Sequence, residues 1–354
     1  MRILWDFRLF SYGYANRGVG TYTRQLAEAI LKENKKDIIL IWADKESVPG
    51  YMKSWPVKWI PYKPNSWKSD LLAIPYLIYK HAIDIIHYWI TLGPIHTIGM
   101  GIMHPCKAIA TVYDLSVELW DEIPFAASKR NTWYWKTQKR LIQQCSTALC
   151  ISKATQSDLK RVIKKQYFNT EVVYMPLPHE DKANNEKRKP YFISLGGSIH
   201  KNLKRVITAF EKVNADNKKY ELIILGDIDK KDEVTDKIPA YICFDDMSNY
   251  AHHRQCASGL IFCSLHEGLG IPAIEAMHYH CPLLLSDIPS LREICNNYAY
   301  FVNPLEINDI AKGIDDIINN QNHWVEKSKE GKKKYQKMSK NSGKEIVKLY
   351  QSYK

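Results

Sequence analysis

Leu260–Ala276 reads LIFCSLHEGLGIPAIEA, and the order of its parts decides the fold. Leu260–Ser264 is an apolar run of strand length, too short for a buried helix. Leu265–Ile271 is a turn holding Gly268 and Gly270. Pro272 then opens a helix as its first residue, where a missing N–H costs nothing. Strand, glycine turn and helix make half of a βαβ unit, and the same alternation extends outward on both sides.

Towards the N-terminus, Arg2–Trp5, Ile38–Trp42, Val57–Ile60, Ile83–Tyr88, Ala108–Tyr113, Ala148–Ile151 and Val172–Met175 read as buried strands. Helical patterns such as Thr21–Lys32 and Lys153–Ile163 lie between them. Pro176–Pro190 (PLPHEDKANNEKRKP) breaks the rhythm with the polar, proline-bracketed composition of a linker. The alternation then resumes with strands Tyr191–Leu195, Leu222–Leu225, Tyr241–Phe244 and Pro282–Ser286, and with helices Asn202–Val213 and Ile307–Asn319.

The expectation is an α/β protein of two Rossmann-like, doubly wound parallel-sheet domains, residues 1–176 and 191–322, joined by 177–190. Ligands should gather at carboxyl strand ends, in a cleft between the domains. Residues 323–354 are Lys-rich and helical in composition. They read as a solvated helix packing back on the first domain, or as a charged surface for a membrane or acceptor.

The 354 residues suffice for two cores, and 45% apolar with 25% charged residues is a globular composition. A net charge of +12 implies an anionic partner: nucleotide phosphates, nucleic acid or lipid headgroups. The eight cysteines contain no C-x-x-C pair and mostly sit in apolar runs, the pattern of reduced, buried thiols in a cytoplasmic protein. MRILWDFRLF carries Asp6 and Arg8, which suits a strand rather than a signal peptide. Leu71–Met103, the most apolar region, is broken by Lys80, His81 and Asp84, so no run reaches the roughly 18 residues of a spanning helix. A peripheral place on the cytoplasmic face of a membrane stays open.

Glu267 and Glu275 flank the glycine turn, with seven residues between them. Each piece alone has a plain structural reading, since a Glu early in a helix complements its dipole. As an ordered whole, Glu267–Ala276 resembles the E-G-(F/L)-G-x-P-x-x-E-A signature of the family 4 retaining glycosyltransferases, which have the two-domain GT-B architecture. The resemblance implies that Glu267 faces the donor sugar. It also implies that Gly268, Leu269 and Gly270 approach sugar and phosphate, and that Glu275 binds the ribose hydroxyls.

Gly196–Leu203 (GGSIHKNL) follows a strand, opens a helix and resembles the family's G-x-x-x-x-R-K-N-L segment. By that resemblance Lys201 binds the donor diphosphate, with Gly197 and His200 beside it. His200 stands where Arg is usual, and the loop is about two residues short. At the N-terminus, Asp6-Phe7-Arg8 and Arg17-Gly18-Val19-Gly20 resemble the family's first strand and glycine loop, which implies that Gly18 and Gly20 bind the donor by closing over its phosphates. Thr111–Leu115 (TVYDL) resembles its strand ending in H-D-L. Arg17, Tyr113 and Asp114 thereby become candidates for positioning sugar or acceptor, Tyr113 replacing the usual His.

The implied reaction is metal-independent retaining transfer of a hexose-type sugar from a nucleotide-diphosphate sugar to a glycan or lipid-linked acceptor. No cofactor and no metal is expected. Asp245-Asp246 is adjacent rather than spaced, and His81, His87, His96, His104 and His252-His253 lack ligand spacing. Tyr51–Lys68 and Lys129–Arg140 interleave aromatics with cations, which suits an anionic membrane interface, sugar stacking, single-stranded nucleic acid or an ordinary core edge. Three rival readings are a sugar-nucleotide epimerase or sugar-phosphate synthase of the same architecture, a donor-binding pseudoenzyme, and a basic nucleic-acid-binding protein. The last leaves the glutamate pattern unexplained, so no nucleic-acid partner is expected.

Overall fold

Arg2–Asp6 (β1) buries Ile3, Leu4, Trp5 and Asp6 completely, as a strand covered on both faces must. It lies mid-sheet among Ile38–Ala43 (β2), Lys58–Pro61 (β3), Ile85–Tyr88 (β4), Lys107–Val112 (β5), Thr147–Cys150 (β6) and Asn169–Val172 (β7). Every pairing is parallel, in the order β3-β2-β1-β4-β5-β6-β7. A second parallel sheet contains Lys189–Leu195 (β8), Glu221–Leu225 (β9), Ile242–Asp245 (β10), Ala257–Phe262 (β11), Leu283–Ser286 (β12) and Tyr300–Val302 (β13). Its order is β10-β9-β8-β11-β12-β13. Both sheets reverse their direction of growth beside the first strand, between β1 and β4 and between β8 and β11. That is the Rossmann-like arrangement, in which loops leaving the two central strands diverge and open a crevice.

The computed structural model describes residues 1–12, 14–15, 17–34, 36–62, 67–89, 106–115, 119, 139–164, 167–177, 188–215, 219–226 and 239–354. The chain divides into two compact units. The first comprises Met1–Glu118, Lys129–Pro176 and Ser339–Lys354, and the second Leu119–Ser128 and Leu177–Met338. Most of the linker (178–187), residues 63–66 and 129–138, and His96 and His104 fall outside the described residues.

The Lys-rich tail is not one element. Its helix Gln321–Ser339 packs on the second unit, where Ser328 Oγ donates to the Cys281 carbonyl at 2.9 Å and Gly331 lies against Met277 and Tyr298. Helix Ser342–Gln351 belongs to the first unit, with Gly343 seated on Ala29 of helix Gly18–Glu33. Ile346, Val347 and Tyr350 of this helix are buried. The Tyr350 hydroxyl accepts from Trp5 Nε1 at 3.1 Å and bonds His87 Nδ1 at 2.7 Å, while His87 Nε2 bonds Thr111 Oγ1 at 2.8 Å.

Several local expectations shift. β7 occupies 169–172 rather than 172–175, because Val173 and Met175 are buried in the segment leaving the sheet. The first-unit helix starts at Gly18, so Gly18 and Gly20 lie in its first turn and not in a preceding loop. At Gly20 any Cβ would strike the Tyr14 and Ala15 carbonyls. The second-unit helix begins at Ile271, one residue before Pro272, and Glu275 falls beyond its first turn. All eight cysteines are free, but Cys243 on edge strand β10 is exposed and Cys106 half-buried. Among the described residues no helix is long and apolar enough to cross a membrane.

In the described part of Tyr51–Lys68, Tyr62 is a buried aromatic, Trp55 and Trp59 are partly buried and Tyr51 is exposed. Tyr62 is buried edge-on against Trp42, 5.2 Å between centroids, and Trp55 meets Phe7 at 6.4 Å. Lys58, at the start of β3, is exposed.

Candidate active site

At the β8/β11 reversal the sequence returns twice to one place. The loop after β8 ends in a short 3-10 turn, Ile199–Lys201, and in Asn202, whose φ of 61° lies in the left-handed region that asparagine tolerates. Asn202 is buried, and its Nδ2 donates to the Cys263 carbonyl at 3.1 Å and the Pro304 carbonyl at 2.6 Å. Leu265 N donates to the His200 carbonyl at 2.7 Å. The glycine loop and the β11 loop are therefore bonded to each other through backbone and side chain.

This joining brings Lys201 Nζ to 2.7 Å from Glu267 Oε1, with the two side chains 17% and 12% exposed. Lys201 also sits over the Phe262 ring, 4.7 Å from its centroid. His200 leans on Ser198, its Nδ1 bonded to the serine hydroxyl. Burial is the largest influence on the Glu267 carboxyl and would raise its pKa. The Lys201 and His200 charges and the Lys201 hydrogen bond outweigh it, so the carboxyl ionises below its ordinary range.

Gly270, at φ 88°, caps the start of helix Ile271–His278. The first N–H groups of a helix lack intrahelical partners and attract anions. A cation, a helix start and an ionised carboxylate thus share one crevice, the set needed to hold a diphosphate beside a carbon gaining positive charge. Gly270→Ala should test how tightly the turn is built. A Cβ there would run into Leu291 Cδ2, and the backbone is strained for any L residue. A loss of about 2–5 kcal/mol is expected, read as a lowered Tm; an unchanged Tm would mean the turn relaxes freely.

Glu275 faces Arg254, 3.5 Å away, an arginine that the sequence reading did not single out. Arg254 lies between the Tyr250 and Tyr279 rings, at 5.1 and 4.9 Å. Only tertiary packing reveals it, since it belongs to helix Tyr250–Cys256 and carries no motif of its own.

The other candidates belong to the first unit. Arg17 stands at the N-cap position of helix Gly18–Glu33 without a side-chain capping bond, and lies over Tyr14 at 5.5 Å. Tyr113 is 5% exposed, with its hydroxyl 2.7 Å from Thr23 Oγ1, which donates to the Val19 carbonyl at 2.8 Å. Buried there, it braces helix Gly18–Glu33 through Thr23. Asp114, next in chain, is partly exposed. The resemblance at Asp6-Phe7-Arg8 covers a buried pair: the Arg8 guanidinium donates to Asp6 at 2.8 and 2.7 Å and its backbone N at 3.2 Å, beneath the Trp42 ring.

With this geometry in place, comparisons with known proteins are informative. The profile described as Glycosyl transferases group 1 matches residues 178–344, and Glycosyltransferase Family 4 matches residues 16–180. Together they run nearly end to end, and the chain belongs to the family 4 glycosyltransferases. It is 28% identical over 181 residues to the O-antigen chain mannosyltransferase RfbU of Salmonella typhimurium, covering 47% of this chain and 49% of that protein. It is 30% identical over 142 residues to the serotype-specific mannosyltransferase WbdA of Escherichia coli, covering 36% of this chain and 17% of that protein. The chain thus spans half or less of these curated relatives. Among solved structures, Anabaena HepE in complex with UDP and glucose superimposes with a TM-score of 0.74 at 13% identity, covering 99% and 100% of the two chains. Sucrose-phosphate synthase from Thermosynechococcus elongatus gives 0.73 at 16% identity, covering 99% and 98%. At such identities these two establish the fold, GT-B, and nothing finer.

Proposed function

We propose that this protein is a metal-independent, retaining glycosyltransferase moving a hexose from a nucleotide-diphosphate sugar to a glycan or lipid-linked acceptor, in surface-polysaccharide synthesis. The Lys201–Glu267 pair at the sheet's reversal point carries the reading. As the bond from the anomeric carbon to the diphosphate breaks, negative charge gathers on the leaving oxygen and positive charge on the sugar. Lys201 and the loop amides meet the first, and Glu267 the second. The acceptor hydroxyl attacks from the face the diphosphate leaves, and its proton passes to a phosphate oxygen. Glycosidase-type roles do not suit Glu267 and Glu275, because Glu275 is given to the ribose and is held by Arg254.

Support for a surface-polysaccharide acceptor comes from the mannosyltransferase relatives, and for a nucleotide-sugar donor from the UDP complex of the same fold. GDP-mannose is therefore the first donor to try, alongside UDP-, ADP- and dTDP-sugars, by thermal shift and slow hydrolysis. Stabilisation by one nucleotide sugar, with release of its diphosphate, is the expected result. Exchange between sugar epimers without transfer would select the epimerase reading instead.

Arg254→Leu is expected to raise the donor KM about tenfold, roughly 1.4 kcal/mol of binding, with kcat nearly unchanged. Glu275 would lose the partner that orients it, while the reacting carbon stays with Glu267. A fall in kcat at constant KM would place Glu275 elsewhere.

A further inference from the structure

The first unit has a cavity of about 180 Å³ where β1, β2 and β3 begin, lined by Arg2, Ile38, Leu40, Lys58, Lys80 and His81. This is the end of the sheet opposite the carboxyl strand ends. Three elements bring the cations there: Arg2 opens β1, Lys58 opens β3, and Lys80 and His81 close helix Trp67–His81. Arg2 Nη1 donates to the His81 carbonyl at 2.9 Å, which fixes the guanidinium beside the helix end. The neighbouring carboxylate, Asp84, is occupied at the backbone, accepting from Arg2 N at 2.7 Å, and does not line the cavity.

Gathering three permanent cations around one hollow costs free energy that a bound anion would return. The His81 imidazole feels this setting, for burial and then Lys58, Lys80 and Arg2 all hold its pKa below the ordinary value. The hollow has the space of about six waters, enough for a phosphate group. On the same helix Tyr76 and Tyr79 are 57% and 89% exposed, and Ile38 on the cavity wall is 51% exposed.

We propose that this cavity is a second anion site, independent of Lys201 and Glu267, which takes the phosphate of a soluble phosphate ester or of a lipid headgroup. Exposed tyrosines on the helix that brings Lys80 and His81 to the hollow fit the headgroup source as well as the free one.

The test uses the full chain carrying Lys201→Ala, so that phosphate held at the donor loop does not enter. Inorganic phosphate and glycerol 3-phosphate are titrated calorimetrically, and phosphatidylcholine vesicles with and without phosphatidylglycerol are sedimented with the protein. The expected result is saturable binding of a probe, weakened at least tenfold by Lys58→Gln with Lys80→Gln and retained by the paired Arg replacements. Lys58 and Lys80 are both exposed, so these variants should keep the parent Tm. Binding of the soluble probes alone supports a phosphate ester. Lysine-dependent vesicle binding that glycerol 3-phosphate displaces supports a headgroup. No binding of any probe, or equal binding by the Gln variant, overturns the proposal.

Discussion

Glu267→Ala should lower kcat for sugar transfer at least about 10²-fold, the scale seen when a group facing developing charge is removed. Donor KM should stay level or fall, because Lys201 loses its carboxylate and becomes freer to meet the diphosphate. Glu267→Gln keeps the shape and removes only the charge, so an equal loss in that variant assigns the effect to electrostatics. Near-normal turnover by either variant would remove Glu267 from the chemistry. The pH profile gives an independent reading. Since the Glu267 pKa is held below its ordinary value, the carboxylate persists as pH falls through the usual glutamate range. Activity that depends on its charge should therefore be flat from neutrality and drop only below that range. Stability follows the same sign: the pair's contribution is present above the unfolded-state value and is lost as pH falls through the folded one.

Deleting residues 342–354 should unfold the first unit, the largest stability effect anticipated for any change considered. The helix removed buries Ile346, Val347 and Tyr350, each worth about 1.5–3 kcal/mol. Their sum approaches the whole stability of an ordinary domain, about 5–15 kcal/mol. The deletion also leaves His87 Nδ1 and Trp5 Nε1 buried without the Tyr350 hydroxyl. Soluble, cooperatively melting protein at the parent Tm would contradict this. A gentler form of the same test is pH. Burial lowers the His87 pKa to about 3, so the native state holds it neutral. That stability is complete above the ordinary histidine value of about 6.5 and is lost as pH falls towards 3, at up to about 1.4 kcal/mol per pH unit. Tm should therefore slope downward below pH 6.5, and His87→Gln should flatten the slope.

The two regions differ in how much of them can be read along the chain. The strand, glycine turn and helix of 260–276 are legible because each of their signals is local: an apolar run, two glycines, a proline at a helix start. The tail misleads for the complementary reason. Its lysines describe the solvent faces of two helices, while the small residues Gly331 and Gly343 let each helix pack closely on its own unit. β7 misleads similarly, since on an edge strand the half-exposed Asn169–Val172 carries less apolar signal than the buried exit that follows. Tyr113 is legible in the chain as a motif position, whereas its contact with Thr23 is set by packing.

The stretch 260–276 by itself determined a strand, a glycine turn and a helix, and named Glu267, Gly268–Gly270 and Glu275 as candidates, because these signals arise from neighbours in sequence. That Glu267 meets Lys201 across 66 positions, that Arg254 takes Glu275, and that Tyr350 closes on His87 across 263 positions are outcomes of tertiary structure alone. A hydrogen bond between distant residues leaves no periodicity in the chain. It exists only once the two sheets have set their strand order and brought the ends of separate elements to the same place.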